Sequence, residues 1–148
     1  MEKLLSDELV VQIRQLFIKL DQPVQVFLFV SKDRQEMCAP TQQLLAELIP
    51  LSDKLSLSIH DMDAELDLAQ LYRVQDKAPA LVIAARDGDQ ITDYGIRYLG
   101  VPAGHEFSTL IQDLLLVSGR DSGLSLQMRS YVKGLTKPLH LEVFVTPT

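Results

Sequence analysis

The sequence predicts an α/β fold in which helices cover both faces of a mixed sheet. A nearly continuous apolar run over residues 24–30 is typical of a buried central strand. Residues 55–60 alternate strictly between apolar and polar side chains, which indicates a half-buried strand. Segments with helical spacing separate the strands, as they do in layered α/β proteins.

Each predicted element has a local signal. The first helix begins at Ser6, carries acids in its first turn and ends before Pro23. The Asp-Gly pair at residues 87–88 indicates a tight hairpin. The predicted helices cover residues 6–20, 41–48, 63–72, 104–117 and 124–135, and the predicted strands cover residues 24–30, 55–60, 79–84, 93–98 and 139–145. The order β-α-β-α-β-β-α is that of a thioredoxin fold, here with an extra N-terminal helix and a C-terminal helix and strand.

Composition narrows the class of protein and its partners. The chain has 148 residues, 47% of them hydrophobic, and a formal net charge of −6, which fits an ordinary globular protein. An acidic balance without a cluster of basic residues argues against nucleic acid or an anionic membrane as a partner. The acidic N-terminus does not resemble a signal peptide, and no apolar run approaches the roughly 18 residues that span a bilayer. We therefore expect a cytoplasmic protein.

An internal repeat suggests how the chain is organised. Residues 20–31 align without gaps on residues 135–146, and Leu, Pro, Phe and Val coincide at four positions. Two similar helix-Pro-strand joints could arise by chance. We favour a second thioredoxin unit that begins near Leu124. This interpretation divides the chain into a thioredoxin-like domain at 1–118 and, at 119–148, the linker, helix and first strand of a truncated second unit.

Several segments together resemble a known family. They are residues 29–33, 51–55, 78–80, 95–107 and 143–148. The chain resembles the N-terminal half of the glutaredoxin-like protein disulfide oxidoreductases, which carry two tandem thioredoxin folds. It is similar, more distantly, to the N-terminal module of the flavoprotein subunit of alkyl hydroperoxide reductase. The resemblance covers essentially the whole chain.

The resemblance implies a redox site that has lost one of its thiols. It places the CxxC motif at residues 35–38, where Cys38 matches the resolving cysteine and Gln35 replaces the attacking one. A thiolate at a helix N-terminus is stabilised by the helix dipole, whereas an amide cannot form the mixed disulfide that starts exchange. Ala78 and Pro79 match the cis-proline loop that faces the motif and positions a substrate backbone. We expect no cofactor.

Three hypotheses about function follow. The first is a degenerate module of a thiol-disulfide oxidoreductase, redox-inactive alone, that serves as a scaffold or binds protein thiols, disulfides or a redox partner. The second is part of an active oxidoreductase, cut short or read as ending at a UGA codon for selenocysteine, whose CxxC or UxxC follows Thr148. The third, a monothiol enzyme using Cys38, conflicts with Gln35. We also expect strand 139–145 to pair with an edge of its own sheet or with a second chain, giving a homodimer.

Other candidate sites fail on spacing. The alternating acids at residues 61–67 resemble the start of an EF-hand calcium loop. However, Leu66 and Tyr72 occupy the positions where such a loop needs Gly and Glu. The glycines at residues 100–104 match no phosphate-binding motif. The histidines lie in separate segments without other ligands at metal-binding spacing, so we expect no metal; they are His60, His105 and His140.

Overall fold

The computed structural model of the chain describes residues 3–145. In chain order its elements are α1 (Asp7–Phe17), β1 (Val24–Val30), α2 (Gln35–Leu48), β2 (Leu55–Asp61), α3 (Leu66–Leu71), β3 (Ala80–Asp87), β4 (Gln90–Leu99), α4 (His105–Ser118) and α5 (Leu126–Lys133). The strands form one sheet in the order β2-β1-β3-β4. Strands β1 and β2 are parallel, whereas β3 is antiparallel to both β1 and β4.

Each face of the sheet carries its own hydrophobic cluster, because successive side chains of a strand point to opposite faces. On β1, Val24, Val26 and Leu28 belong to the larger cluster, which α1, α4 and the C-terminal half of α2 cover. Phe29 belongs to the smaller cluster, together with Cys38 and residues of α3. Helices therefore cover both faces, and the predicted α/β architecture is confirmed.

The four strands of the sheet lie close to their predicted bounds, and the largest differences among the helices are in α2 and α3. Strand β1 has the predicted bounds. Helix α2 begins at Gln35 instead of Thr41, with Pro40 inside it. Pro40 is the sixth residue of the helix and has no N–H to donate to the carbonyl of residue 36, so α2 forms with one backbone hydrogen bond fewer. The hairpin loop is Gly88 and Asp89, one residue later than predicted, because β3 continues through Asp87.

Helix α3 is shorter than predicted and turned differently. The amides of Ala64 and Glu65 donate to the Asp61 carbonyl, so this stretch is a turn that leads into the helix. The helical spacing of residues 63–72 predicts that Leu71 and Tyr72 both lie on the inner side; this is wrong for Leu71, whose side chain is exposed, whereas Tyr72 is buried.

The C-terminal prediction is wrong for the single chain. Residues 139–145 belong to no strand, and their side chains are exposed. A strand needs a neighbour for its backbone N–H and C=O groups, and none lies alongside this segment within residues 3–145. Helix α5 does form, but none of its residues is buried. The division at residue 118 and the homodimer stay predictions. No helix in the described part of the chain is long and apolar enough to cross a membrane.

Candidate functional site

The candidate site lies where β1 leads into α2. The chain leaves β1 at Val30, passes Ser31 and makes a 3₁₀ turn at Lys32–Arg34 before α2 begins. Gln35 is therefore the first residue of α2, and its side chain is exposed. This is the position at which the helix dipole would favour a thiolate. The carboxamide of Gln35 has no thiol chemistry to be favoured.

Cys38 lies one turn further along α2 and points into the protein. Its side chain is 1% exposed and packs in the smaller hydrophobic cluster with Phe29, Met62 and Ala78. The sulfur lies 3.9 Å from the carbonyl oxygen of Ser31, a distance that suits a weak S–H hydrogen bond. A disulfide on another protein cannot reach this sulfur unless α2 or its neighbours move.

The loop before β3 completes the site. The Ala78-Pro79 peptide bond is cis, as the resemblance implies. Ala78 shares a buried cluster with Cys38, and the Pro79 carbonyl accepts a 2.8 Å hydrogen bond from the amide of Gly100. The structure thus brings Cys38 and Ala78 together near the N-terminal end of α2, where Gln35 is exposed.

Arg34 joins the loop to the start of α2. Its Nη1 donates to the carbonyl of Asp76 at 3.0 Å and to that of Ala78 at 3.4 Å. The Ala78 carbonyl, which belongs to the cis peptide itself, therefore already accepts a hydrogen bond from a side chain of the same protein. Sequence reasoning missed Arg34, because its partners lie more than forty residues away along the chain and no local signal marks the pairing.

A small polar cleft of about 140 Å³ lies beside Arg34. The Ser31 hydroxyl donates to Asp63 Oδ2 at 2.7 Å on its wall. Next to it, the pKa of Asp61 lies below its ordinary value because the amide of Asp63 donates to the carboxylate, and the ammonium of Lys32, 3.3 Å away, adds to this. The cleft therefore holds polar groups that are paired with one another.

Further polar pairs lie on the same face of the sheet, over β4 and β2. The guanidinium of Arg97 pairs with Asp93 at 2.6 Å and holds the pKa of that carboxyl below its usual value. Arg97 Nε also donates to the carbonyl of Tyr72 at 2.8 Å. His60 contacts Glu65 through Nδ1 at 2.8 Å. Within residues 3–145, no group of three His, Cys, Asp or Glu side chains could hold a metal ion.

Comparison with a solved structure identifies the fold class of the chain. No family model matches the chain. A protein disulfide oxidoreductase from Aeropyrum pernix superposes with a TM-score of 0.74 at 23% identity, covering 88% of this chain and 55% of that one. This likeness supports the fold, and the chain is a thioredoxin-fold module as predicted.

Within that class, the sequence is similar to AhpF, a component of alkyl hydroperoxide reductase. The Pseudomonas aeruginosa protein is 28% identical over 141 residues, 95% of this chain and 24% of that protein. The Staphylococcus aureus protein is 26% identical over 98% of this chain and 25% of its own length. The NTD_N/C domain of the Enterococcus faecalis protein superposes with a TM-score of 0.77 at 25% identity, covering 89% of this chain and 61% of that one. The chain spans about a quarter of the curated relatives' length.

Proposed function

We propose that this chain is a thioredoxin-like module of the thiol-disulfide oxidoreductase class that is redox-inactive by itself. In this proposal the module binds or positions a redox partner that supplies the reactive thiols. The observation that carries it is the pair of residues on α2. An amide occupies the exposed position, and the one thiol of the motif, that of Cys38, is 1% exposed.

Both steps of dithiol exchange support this assignment. The first step needs an accessible thiolate that attacks a disulfide sulfur, and Gln35 has no sulfur. The second step needs a resolving thiol that attacks the mixed disulfide, and Cys38 would have no mixed disulfide beside it. A monothiol role for Cys38 has no support in its burial, because reactive cysteines are partly exposed.

The second part of the proposal is the interaction role. A module without dithiol chemistry still presents the exposed start of α2, with the buried Ala78 and Pro79 of the cis-proline loop beneath it. In this proposal the start of α2 is the surface that meets the redox partner. Since the chain matches about a quarter of each curated relative, we place its activity within a larger oxidoreductase system. The cytoplasmic location and a redox motif beyond Thr148 stay predictions, the latter outside the described residues.

The decisive experiment restores the missing thiol. We expect the wild-type chain to leave the rate of insulin reduction by dithiothreitol unchanged. The Gln35→Cys variant should raise that rate by about tenfold or more, because it places a thiol at the helix N-terminus three residues before Cys38. The same gain should disappear in Gln35→Cys/Cys38→Ser if the pair turns over as a disulfide.

Met37→Cys is the matched control, since it adds an exposed thiol to the same turn at the wrong spacing. It should not reproduce the gain. Turnover by the wild-type chain that Cys38→Ser abolishes would overturn the proposal. It would mean that Cys38 becomes accessible and acts as a nucleophile.

A further inference from the structure

Side chains from β2 and from the turn before α3 form a Ser-His-Glu arrangement. Ser58 and His60 are two residues apart on β2, so their side chains point to the same face of the sheet. The Ser58 hydroxyl lies 3.1 Å from Nε2 of His60, and Nδ1 of the same ring lies 2.8 Å from Oε2 of Glu65. The turn after β2 brings Glu65 there, since its amide donates to the carbonyl of Asp61 at 2.8 Å. A nucleophile, a base within hydrogen-bond reach of it and a third group that orients the base are the parts of a nucleophilic hydrolase site.

These hydrogen bonds set the direction in which a proton can move. A carboxylate can only accept a hydrogen bond, so the hydrogen of the His60 ring lies on Nδ1, towards Glu65. Nε2 then carries the free electron pair, and the Ser58 hydroxyl is the donor in the bond to it. His60 is therefore oriented as a base towards Ser58, and Glu65 is a positioning residue that holds the ring in this tautomer.

Aromatic rings hold His60 in place and give the site an apolar side. The His60 ring stacks on Phe29, with 5.5 Å between the ring centroids, and lies 5.8 Å from the ring of Phe27. Phe27 and Ser58 are half-buried, so both remain partly open to solvent. The side chain of Glu65 is 43% exposed. A small apolar group that approaches Ser58 from solvent therefore meets an aromatic surface beside it.

Gln25 supplies a hydrogen-bond donor next to the hydroxyl. Its side chain is 7% exposed, and its Nε2 lies 3.2 Å from Oγ of Ser58 and 3.1 Å from the carbonyl oxygen of Val26. A primary amide nitrogen carries two hydrogens, so it can serve both acceptors. Attack by Ser58 on a carbonyl group puts negative charge on an oxygen bonded to the same carbon as Oγ. An amide N–H that already points to Oγ is a donor of the kind that stabilises such an oxyanion.

From this geometry we propose that the chain carries a serine esterase site on this face of the sheet, which hydrolyses esters of short-chain carboxylic acids. Ser58 is the nucleophile and His60 is the base. The apolar acyl group packs against Phe27, and Gln25 donates to the oxyanion. The site uses neither Gln35 nor Cys38, so the proposal goes beyond the redox assignment and does not depend on it.

The reaction consumes one ester and one water and changes no oxidation state. Oγ of Ser58 bonds to the ester carbonyl carbon while Nε2 of His60 takes the hydroxyl proton. The C=O bond then re-forms, the bond to the leaving oxygen breaks, and His60 gives its proton to that oxygen, so the alcohol leaves. Water next attacks the acyl carbon and passes a proton to His60. The bond to Oγ breaks, Oγ takes that proton, and the carboxylic acid is released.

Hydrolysis of p-nitrophenyl acetate by the full 148-residue chain is the first test. We expect turnover above the buffer rate, since an activated ester needs only the nucleophile and its base. Ser58→Ala and His60→Gln should each lower kcat/KM by about 100-fold or more, because each removes the general-base step. Glu65→Gln should lower kcat by about tenfold or more and leave KM unchanged, as a positioning residue does. A wild-type rate equal to that of buffer, or to that of Ser58→Ala, overturns the proposal.

The chain offers a matched control for each partner of this pair. Ser56 lies on the same face of β2, but its hydroxyl accepts from Nη1 of Arg86 at 3.3 Å. His140 pairs with Glu142 at 2.7 Å in an exposed His-Glu pair on another segment. Ser56→Ala and His140→Gln should therefore keep kcat/KM within about twofold of wild type. A loss in either control as large as that in Ser58→Ala would show that the hydrolysis does not come from the proposed site and would overturn the proposal.

Covalent labelling of the wild-type chain tests the nucleophile without a substitution. An alkyl fluorophosphonate should bond to Oγ of Ser58 and release fluoride, and peptide mass spectrometry should find the adduct at this residue. Absence of an adduct, or an adduct only at other residues, overturns the proposal even where a variant fails to fold. Neither readout depends on insulin reduction, so this proposal and the redox assignment can fail separately.

Discussion

Residues 5–118, the packed unit, and residues 124–145 carry similar sequence signals but differ completely in burial. Leu114 on α4 is fully buried, whereas Leu141 in the C-terminal arm, residues 139–145, is 79% exposed. Both are leucines in segments whose apolar spacing predicts regular secondary structure, a helix for Leu114 and a strand for Leu141. The packed unit supplies a sheet for its helices and neighbours for its strands. Within residues 3–145 no strand or sheet face covers the arm. The apolar pattern of a segment therefore shows which side chains it can bury, and a neighbouring surface decides whether they are buried.

Alanine substitutions in the two regions give the largest expected contrast. Leu114→Ala should lower the free energy of unfolding by about 2–5 kcal/mol, because it leaves a cavity in the larger cluster. Leu141→Ala should change it by about 0.5 kcal/mol or less. Urea unfolding followed by circular dichroism, at a concentration where the chain is monomeric, measures both. Equal losses would show that the arm packs on the unit in solution.

The boundary between the two regions gives a smaller contrast. Arg120 donates to the carbonyls of Pro23 and Arg86 and to the Asp87 carboxylate, at 2.9–3.1 Å, which ties the linker to the sheet. Arg120→Ala should cost about 1–3 kcal/mol of unfolding free energy, since these hydrogen bonds involve a charged, partly buried donor.

Arg129→Ala is the control for Arg120→Ala. Arg129 binds the Asp121 carboxylate and the carbonyl of Leu124, which both lie after residue 118 and outside the sheet. It should cost about 0.5 kcal/mol or less in the same urea experiment. A larger loss of unfolding free energy in Arg129→Ala than in Arg120→Ala would contradict the placement of the boundary at Arg120.

The smallest expected effect concerns pH and β4. The pKa of Asp93 is lower in the folded chain than in the unfolded one, chiefly because of Arg97. The stabilisation from this carboxylate is therefore present above its unfolded pKa, near 3.8, and is lost as pH falls through its lower folded value. Because the Asp93 side chain is still 32% exposed and solvent screens the pair, we expect less than about 1 kcal/mol.

Unfolding of wild type and Asp93→Asn, compared from pH 6 downward, measures this effect. The excess of unfolding free energy of wild type over Asp93→Asn should shrink as the pH falls below the unfolded pKa of Asp93. In an Arg97→Gln background the same Asp93→Asn change should lose most of its pH dependence. An advantage that persists unchanged in strong acid would contradict the assigned cause.

The sequence predicted the fold well because its strongest signals are local. A buried strand needs a continuous apolar run, and residues 24–30 have one whose bounds the structure reproduces. The start of α2 was harder to predict, because Pro40 is an apparent helix breaker and its actual cost depends on its place in the helix. Position along a helix follows from where the chain turns, which neighbouring elements determine.

The candidate site was predicted in part. Gln35, Cys38, Ala78 and Pro79 were assigned from resemblance, and the structure places them at the start of α2 and in the loop before β3. Their roles stay proposals. Arg34 was missed because its hydrogen bonds to Asp76 and Ala78 join segments distant in sequence.

The sequence alone determined that the chain has one cysteine and an amide at residue 35, so no dithiol can form within it. It also determined the order of the elements from α1 to α5, since that order follows from residue spacing. Only the tertiary structure decided that Cys38 is buried, that Arg34 engages the cis-proline loop and that residues 139–145 pair with no strand among residues 3–145. The physical reason is that composition and periodicity belong to each segment, whereas burial and pairing belong to the surfaces that the folded chain brings together.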